Sequence, residues 1–346
     1  MISRLFICLA TAWAIAASPA SSRTDAPDGT LLSSKPCPLN PVGSHERYID
    51  SARAYFAEEV ANAANEGLVM PLVPDDMLVQ LLDDRGTVES HIAYEGFECL
   101  EITYASDGLT IAGFLWKPDT IGEEKMPLVI ANRGGNADFG PMRPWHNWGW
   151  HDFLRAGYVV LASQYRGGPG SEGLDEFGGR DLDDVRALLP LAENLGFVDT
   201  RNIFAFGESR GGMTTYMLAR GKSPFKAIAI RSGLGNAYRL VESRPIFDTM
   251  VFPARIPDYA EKREEALTAR SASMWADEIA APAIIFHGSD DWRVSPSDAV
   301  TIAGKMMTAG IPVELHLYHG DTHSITLNRT DMLARTIAFF DRFRIP

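Results

Sequence analysis

Cysteine is scarce in this chain of 346 residues: Cys8, Cys37 and Cys99 are the whole complement. They are too few and too widely spaced for a disulfide scaffold or a four-thiolate zinc site. Basic charge is short as well. Lys+Arg total 32 against Asp+Glu 45, a formal net charge of -13, which excludes a phosphate-binding surface as the main business and nucleic acid as a partner. The apolar run Leu5 to Ala17 (LFICLATAWAIAA) has thirteen residues, fewer than the roughly 20 that a membrane-spanning helix needs. What is present is enough for a folded enzyme or binding domain: 46% of the residues are hydrophobic and 22% charged, so a full core can be buried and the chain need not be disordered.

The apolar run follows a short basic start, MISR, and ends in the small-x-small pattern of Ser18 and Ala20. This predicts a signal peptide over residues 1–20, export to the periplasm or the exterior, and no stable membrane anchor after cleavage. Cys8 would leave with it. In an oxidising compartment Cys37 and Cys99 either pair or remain two unrelated thiols. Residues 21–44, rich in Ser, Pro and Gly, read as a flexible arm, and 45–92 as a helical N-terminal extension: an amphipathic helix from His45 to Asn65 and a shorter one from Asp75 to Asp83. From Phe97 the period becomes two, and FECLEITYASDGLTIAGFLWKP predicts a hairpin turning at Ser106-Asp107-Gly108. Beyond Pro127 short continuous apolar runs alternate with helical stretches. That pattern predicts an α/β domain over 93–346, a mostly parallel sheet with helices on both faces. Residues 236–280 break the alternation and read as a cap-like insertion over the carboxyl edge of the sheet.

Gly207-Glu208-Ser209-Arg210-Gly211-Gly212 stands between the apolar strand IFAF and a helical stretch. Strand, GxSxG, helix is the signature of a nucleophile elbow: glycine on both flanks lets the strained turn pass its neighbours, and the serine is raised to a helix N-terminus. Ser209 is therefore the candidate nucleophile. A serine hydroxyl needs a base, and on such a sheet the partners follow in the order serine, acid, histidine. His287-Gly288-Ser289-Asp290-Asp291 supplies carboxylates after the strand AIIF, and Tyr318-His319-Gly320-Asp321-Thr322-His323 supplies histidines after VELHL. Of the two, His323 lies further into its loop, where it reaches back over the serine, and is preferred to His319 as the base. His287 and His316 fall in strands and read as satisfied core or edge histidines. A GxGxxG at 168–173, a Gly-Lys-Ser at 221–223 and the histidines of 316–323 suggest a dinucleotide, a triphosphate and a metal respectively, but each lacks its required context. No cofactor and no metal is expected.

These stretches resemble the α/β-hydrolases of the prolyl oligopeptidase type, a group of serine peptidases and related esterases. ITYASDGLTIAGFLWKP is similar to the family's opening hairpin, QYRGGPGSEG to its segment after the fourth strand, GESRGGM to its elbow, and ARSASMWADEIAAPAIIFHGSDDWRV to its approach to the acid loop, HGxxDxxV. The resemblance covers about Phe97 to Pro346. It implies an α/β-hydrolase fold, selects Asp291 over Asp290 as the acid, and carries a substrate-contacting role onto Arg293. It also implies an oxyanion hole formed by the backbone N–H groups of Arg210 and of Gly135 or Gly134. The sequence departs from the family at Arg133-Gly134-Gly135-Asn136, where the family reads HGGP; the bulk and charge of Arg133 put the acyl pocket's shape in question. Trp145 and Trp148 belong to a loop beside that turn and are candidate lining for a cleft.

The expectation is thus an exported serine hydrolase that cleaves ester or amide bonds of small esters, amides or short peptides through an acyl-enzyme. Only the helical extension precedes the hairpin, with no propeller to gate the site, which favours esters. A small-substrate aminopeptidase or oligopeptidase is the alternative, and a non-catalytic binding protein on the same fold a second.

Overall fold

The computed structural model describes residues 24–38, 43–65, 74, 75, 78, 79, 82, 85–120, 122–143 and 148–346. The expected signal peptide, Trp145 and most of the helix expected over 75–83 lie outside these residues, and among those described no helix is long and apolar enough to cross a membrane.

A nine-stranded sheet is the frame. Its strands are β1 (Leu31–Pro36), β2 (Phe97–Ser106), β3 (Leu109–Pro118), β4 (Met126–Asn132), β5 (Val159–Ser163), β6 (Val198–Glu208), β7 (Ile228–Arg231), β8 (Ala283–Gly288) and β9 (Val313–Tyr318), in the order β1-β2-β3-β5-β4-β6-β7-β8-β9. The first three pair antiparallel and β3 runs antiparallel to β5, after which every pairing is parallel. Asp107 and Gly108, both at positive φ, make the two-residue turn of the β2–β3 hairpin, the geometry whose twist matches the strands it joins.

Alternation along each central strand feeds two cores. Leu128 and Ile130 of β4 face one, with helices α4 (Asp181–Arg186), α5 (Leu188–Asn194) and α6 (Arg210–Ala219) packed against it. Val129 and Ala131 face the other, closed by α3 (Trp148–Arg155) and α12 (Arg329–Phe343). Both faces being covered explains why these strands read as continuous apolar runs. Residues 236–280 fold into short helices, α7 (Ala237–Ser243), a π turn (Phe247–Val251), α8 (Phe252–Arg255), α9 (Arg263–Ala269) and α10 (Ala272–Trp275), with a small core of their own around Leu240, Phe252 and Leu267. Helix α11 (Pro296–Thr308) follows β8.

Two N-terminal features differ from the sequence reading. The segment taken as a flexible arm contains β1, an edge strand hydrogen-bonded to β2 and tied beyond its end by the disulfide Cys37–Cys99. All six of its residues are exposed, so no buried face imposed a readable period: backbone bonding, not side-chain burial, makes this strand. Helix α1 (His45–Asn65) starts at Ser44, whose Oγ accepts from Arg47 N at 3.3 Å, and buries Ile49, Ala52, Phe56 and Ala63. Glu59, on the same face, is also buried, for a reason found in the site. A second helix of the extension, α2, spans Arg85–Ile92.

Candidate active site

Ser209 sits between the end of β6 and the start of α6 at φ 55° and ψ −121°, a conformation that a non-glycine residue holds only when its surroundings enforce it. Its N–H donates to Arg231 O at 3.0 Å, and its carbonyl accepts from Gly212 N at 2.9 Å and Leu234 N at 3.0 Å, so the ends of β7 and α6 clamp it. A Cβ at Gly211 would collide with Asn132 O, and one at Gly207 with Gly211 O and Thr215 Oγ1. Both glycines are steric necessities of the turn.

Asp291, in the loop after β8, is buried. Its Oδ2 lies 2.8 Å from His323 Nδ1 and 2.9 Å from His287 Nε2; its Oδ1 accepts the N–H groups of Arg293 at 2.9 Å and Val294 at 3.0 Å. Burial by itself would raise this carboxyl's pKa, but the charge and hydrogen bonds of His323 and His287 outweigh it and hold the group well below the usual carboxylate range. Asp290, half-buried, accepts instead from Ser289 Oγ. His319 is exposed. His287, expected as a satisfied core or edge histidine, is fully buried on β8, and its partner is Asp291, the candidate acid. The available signal was the spacing, since a histidine four residues before a carboxylate at a strand end shares its loop.

Ser209 and His323 line one cavity of about 670 Å³ together with Gly134, Gly135 and Arg210. A Cβ placed on Gly134 would stand 3.1 Å from Ser209 Cβ, so the loop after β4 abuts the serine. The Arg210 side chain turns away from the cavity and under this loop. It bonds Asp175 and Asp181 at 2.6–2.7 Å and Gly135 O at 3.0 Å. Burial opposes its charge, and Asp181 and Asp175 more than restore it. Arg133 is 3% exposed, its guanidinium folded into the same loop; burial pushes it down to about 10, and it stays charged at neutral pH. Its guanidinium therefore fills the loop's interior, and Phe177, Leu234, Leu240 and Phe247 are among the apolar residues that line the cavity.

Arg293 lines the cavity too, but its guanidinium is engaged by Glu59 of α1, whose carboxylate also accepts Trp292 Nε1 at 3.1 Å. This pairing accounts for a glutamate buried on the apolar face of α1. From the same helix Tyr55 reaches the histidine loop, donating to Ser324 Oγ at 2.8 Å. Neither contact had a signal in the sequence, because both join segments more than 230 residues apart. Trp148 begins α3, and its side chain is not among those described; Trp150, two residues on, packs on Trp116 and Phe206 and reaches the cavity.

Residues 144–344 match the prolyl oligopeptidase family. The chain belongs to that family. Its class is that of the serine-type peptidases. The chain is 29% identical to the uncharacterized peptidase YtmA of Bacillus subtilis over 64% of its own length and 84% of that protein's. It is 26% identical to dipeptidyl aminopeptidase BIII of Pseudoxanthomonas mexicana over 63% of its length, and spans 34% of that longer protein. Among solved structures the Pyrococcus horikoshii acylaminoacyl peptidase superposes with a TM-score of 0.63 at 18% identity, covering 75% of this chain and 44% of that one. The shared fold is the α/β-hydrolase fold of these peptidases.

Proposed function

We propose that this member of the prolyl oligopeptidase family hydrolyses amide bonds of short peptides, and esters by the same route, through an acyl-enzyme on Ser209. The supporting observation is the buried Asp291–His323 pair opening onto the same cavity as a serine held at positive φ. With Asp291 accepting at Nδ1, the imidazole keeps its proton there and leaves Nε2 to take the one from Ser209 Oγ as that oxygen attacks the carbonyl carbon. Asp291 then stabilises the imidazolium. His323 returns the proton to the leaving amine or alkoxide, a water repeats the attack, and the acid is released. The N–H groups of Arg210 and Gly135 are the proposed oxyanion donors. The family relation moves the preference from esters toward peptides, while ester cleavage uses the same parts. Export to the periplasm or exterior belongs to the same proposal, supported by the apolar N-terminal run and by the Cys37–Cys99 bond, a feature of oxidising compartments.

A fluorophosphonate probe should label the wild type, and Ser209→Ala should take no label and lose turnover of aminoacyl and prolyl anilides and of nitrophenyl esters alike. A folded wild type that takes no label would refute the hydrolase reading. Faster turnover of esters than of every anilide would return the preference to esterase.

A further inference from the structure

The loop after β4 has an unusual internal filling. Arg133 Nη1 donates to Gly134 O at 3.1 Å, Phe139 O at 3.2 Å and Gly140 O at 3.1 Å; Nη2 donates to Ala137 O at 2.8 Å and Gln164 O at 2.9 Å; Nε donates to Gln164 O at 3.1 Å. A buried cation is thus held by five backbone carbonyls, four of them from the loop that curls round it. Charge-assisted bonds of this kind are roughly twice as strong as neutral ones. The loop is fixed from outside as well. Asp175 accepts Ala137 N at 2.7 Å, Arg210 donates to Gly135 O, and the Gln164 amide both donates to and accepts from the Met142 backbone.

The orientation of one peptide follows. Every described peptide bond is trans, and in a planar trans peptide the C=O and the following N–H point in opposite directions. The Gly134 carbonyl is turned inward to Arg133, so the Gly135 N–H is turned outward, from a residue that lines the cavity beside Ser209. Were this peptide to flip, an oxygen would stand where a donor is needed. Gly135 at φ +67° packs so close to Phe139 O that no side chain fits there, and glycine opposes a flip only weakly by itself. Something else must fix the peptide.

We propose that Arg133 is the positioning residue of the oxyanion hole: by drawing the Gly134 carbonyl, and with it the whole 134–140 loop, onto its guanidinium, it aims the Gly135 N–H at the tetrahedral intermediate. This rests on the acyl-enzyme reading above. It acts through backbone geometry and touches no substrate, so its contribution falls on the transition state and leaves ground-state binding alone.

The test compares wild type, Arg133→Met and Arg133→Lys on one anilide and one nitrophenyl ester, with thermal melts and with inhibition by a peptidyl trifluoromethyl ketone, which forms the tetrahedral adduct on serine. Losing one oxyanion donor lowers kcat by about 10²–10³-fold. Arg133→Met should lose kcat on that order with KM within about threefold, and should lose affinity for the ketone in parallel with kcat/KM, as a lost transition-state contact requires. Arg133→Lys, which keeps the charge but fewer donors, should fall between. Unchanged kcat in either folded variant, or a loss confined to KM with the ketone's affinity intact, overturns the assignment. If Arg133→Met does not fold, the lysine variant decides by the same criteria. A wild type that neither labels with fluorophosphonate nor turns over would strike the hydrolase reading itself, whereas a labelled, active wild type with indifferent Arg133 variants strikes this inference alone.

Discussion

Single residues at the site differ less in chemistry than in what holds them. Asp290 and Asp291 are the same side chain one position apart, yet Asp291 is buried with four hydrogen-bond partners, two of them imidazoles, while Asp290 answers a neighbouring serine. Asp291→Asn replaces an acceptor with a group that presents N–H to His323 or leaves the ring in the wrong tautomer. We expect kcat to fall by about 10³–10⁴-fold, with Asp290→Asn within about threefold of wild type. His323→Ala should lose activity on a similar scale while the exposed His319→Ala keeps most of it. The reverse ranking of either pair, in steady-state kinetics, would move the acid or the base. The sequence offered both candidates in each pair. Resemblance to the family's HGxxDxxV spacing chose the acid, whereas the role of His287 beside it needed the folded β8 edge to be seen.

At the level of elements, the N-terminal helix is the least expected part of the site. Its apolar period was legible and its bounds coincide with the sequence reading, because four buried residues on one face dictate them. What that face covers was not legible. Through Glu59 and Tyr55, α1 braces the two loops that carry Asp291 and His323. Glu59→Ala leaves the Arg293 guanidinium partly buried without its carboxylate, and removing one partner of a buried pair costs roughly 3 kcal/mol. Chemical denaturation should register that loss, and kcat/KM should drop about tenfold as the acid loop loosens. A variant as stable and as active as wild type would reduce α1 to a cover with no hold on the loops. The short helices of 236–280 brace the cavity from the other side: their core joins Phe177 and Met213 of the main domain, and Arg270 donates to Phe177 O at 2.6 Å and Glu176 O at 2.9 Å.

Over the described residues, one sheet collects residues from 31 to 318, and a disulfide closes its antiparallel edge, joining Cys37 to Cys99 at a sequence separation of 62. A bond closing a loop of that size typically contributes about 2–4 kcal/mol by restricting the unfolded chain. The Cys37→Ser/Cys99→Ser variant should lose stability on that order in denaturant titration with kcat/KM little changed, since β1 lies at the sheet edge far along the strand order from β6 and β8. Equal midpoints for the variant and the wild type, with or without reductant, would show that the link contributes nothing. The sequence by itself determined the alternation of strands and helices, the mostly parallel sheet and the glycine-flanked turn at Ser209, because each is written in local periodicity or in glycines that a tight turn cannot do without. The tertiary structure alone decided that a featureless segment becomes β1, that Glu59 and Tyr55 reach the acid and histidine loops, and that Arg133 turns inward. Those outcomes depend on bonds between segments distant in the chain, whose free energy no local pattern of residues records.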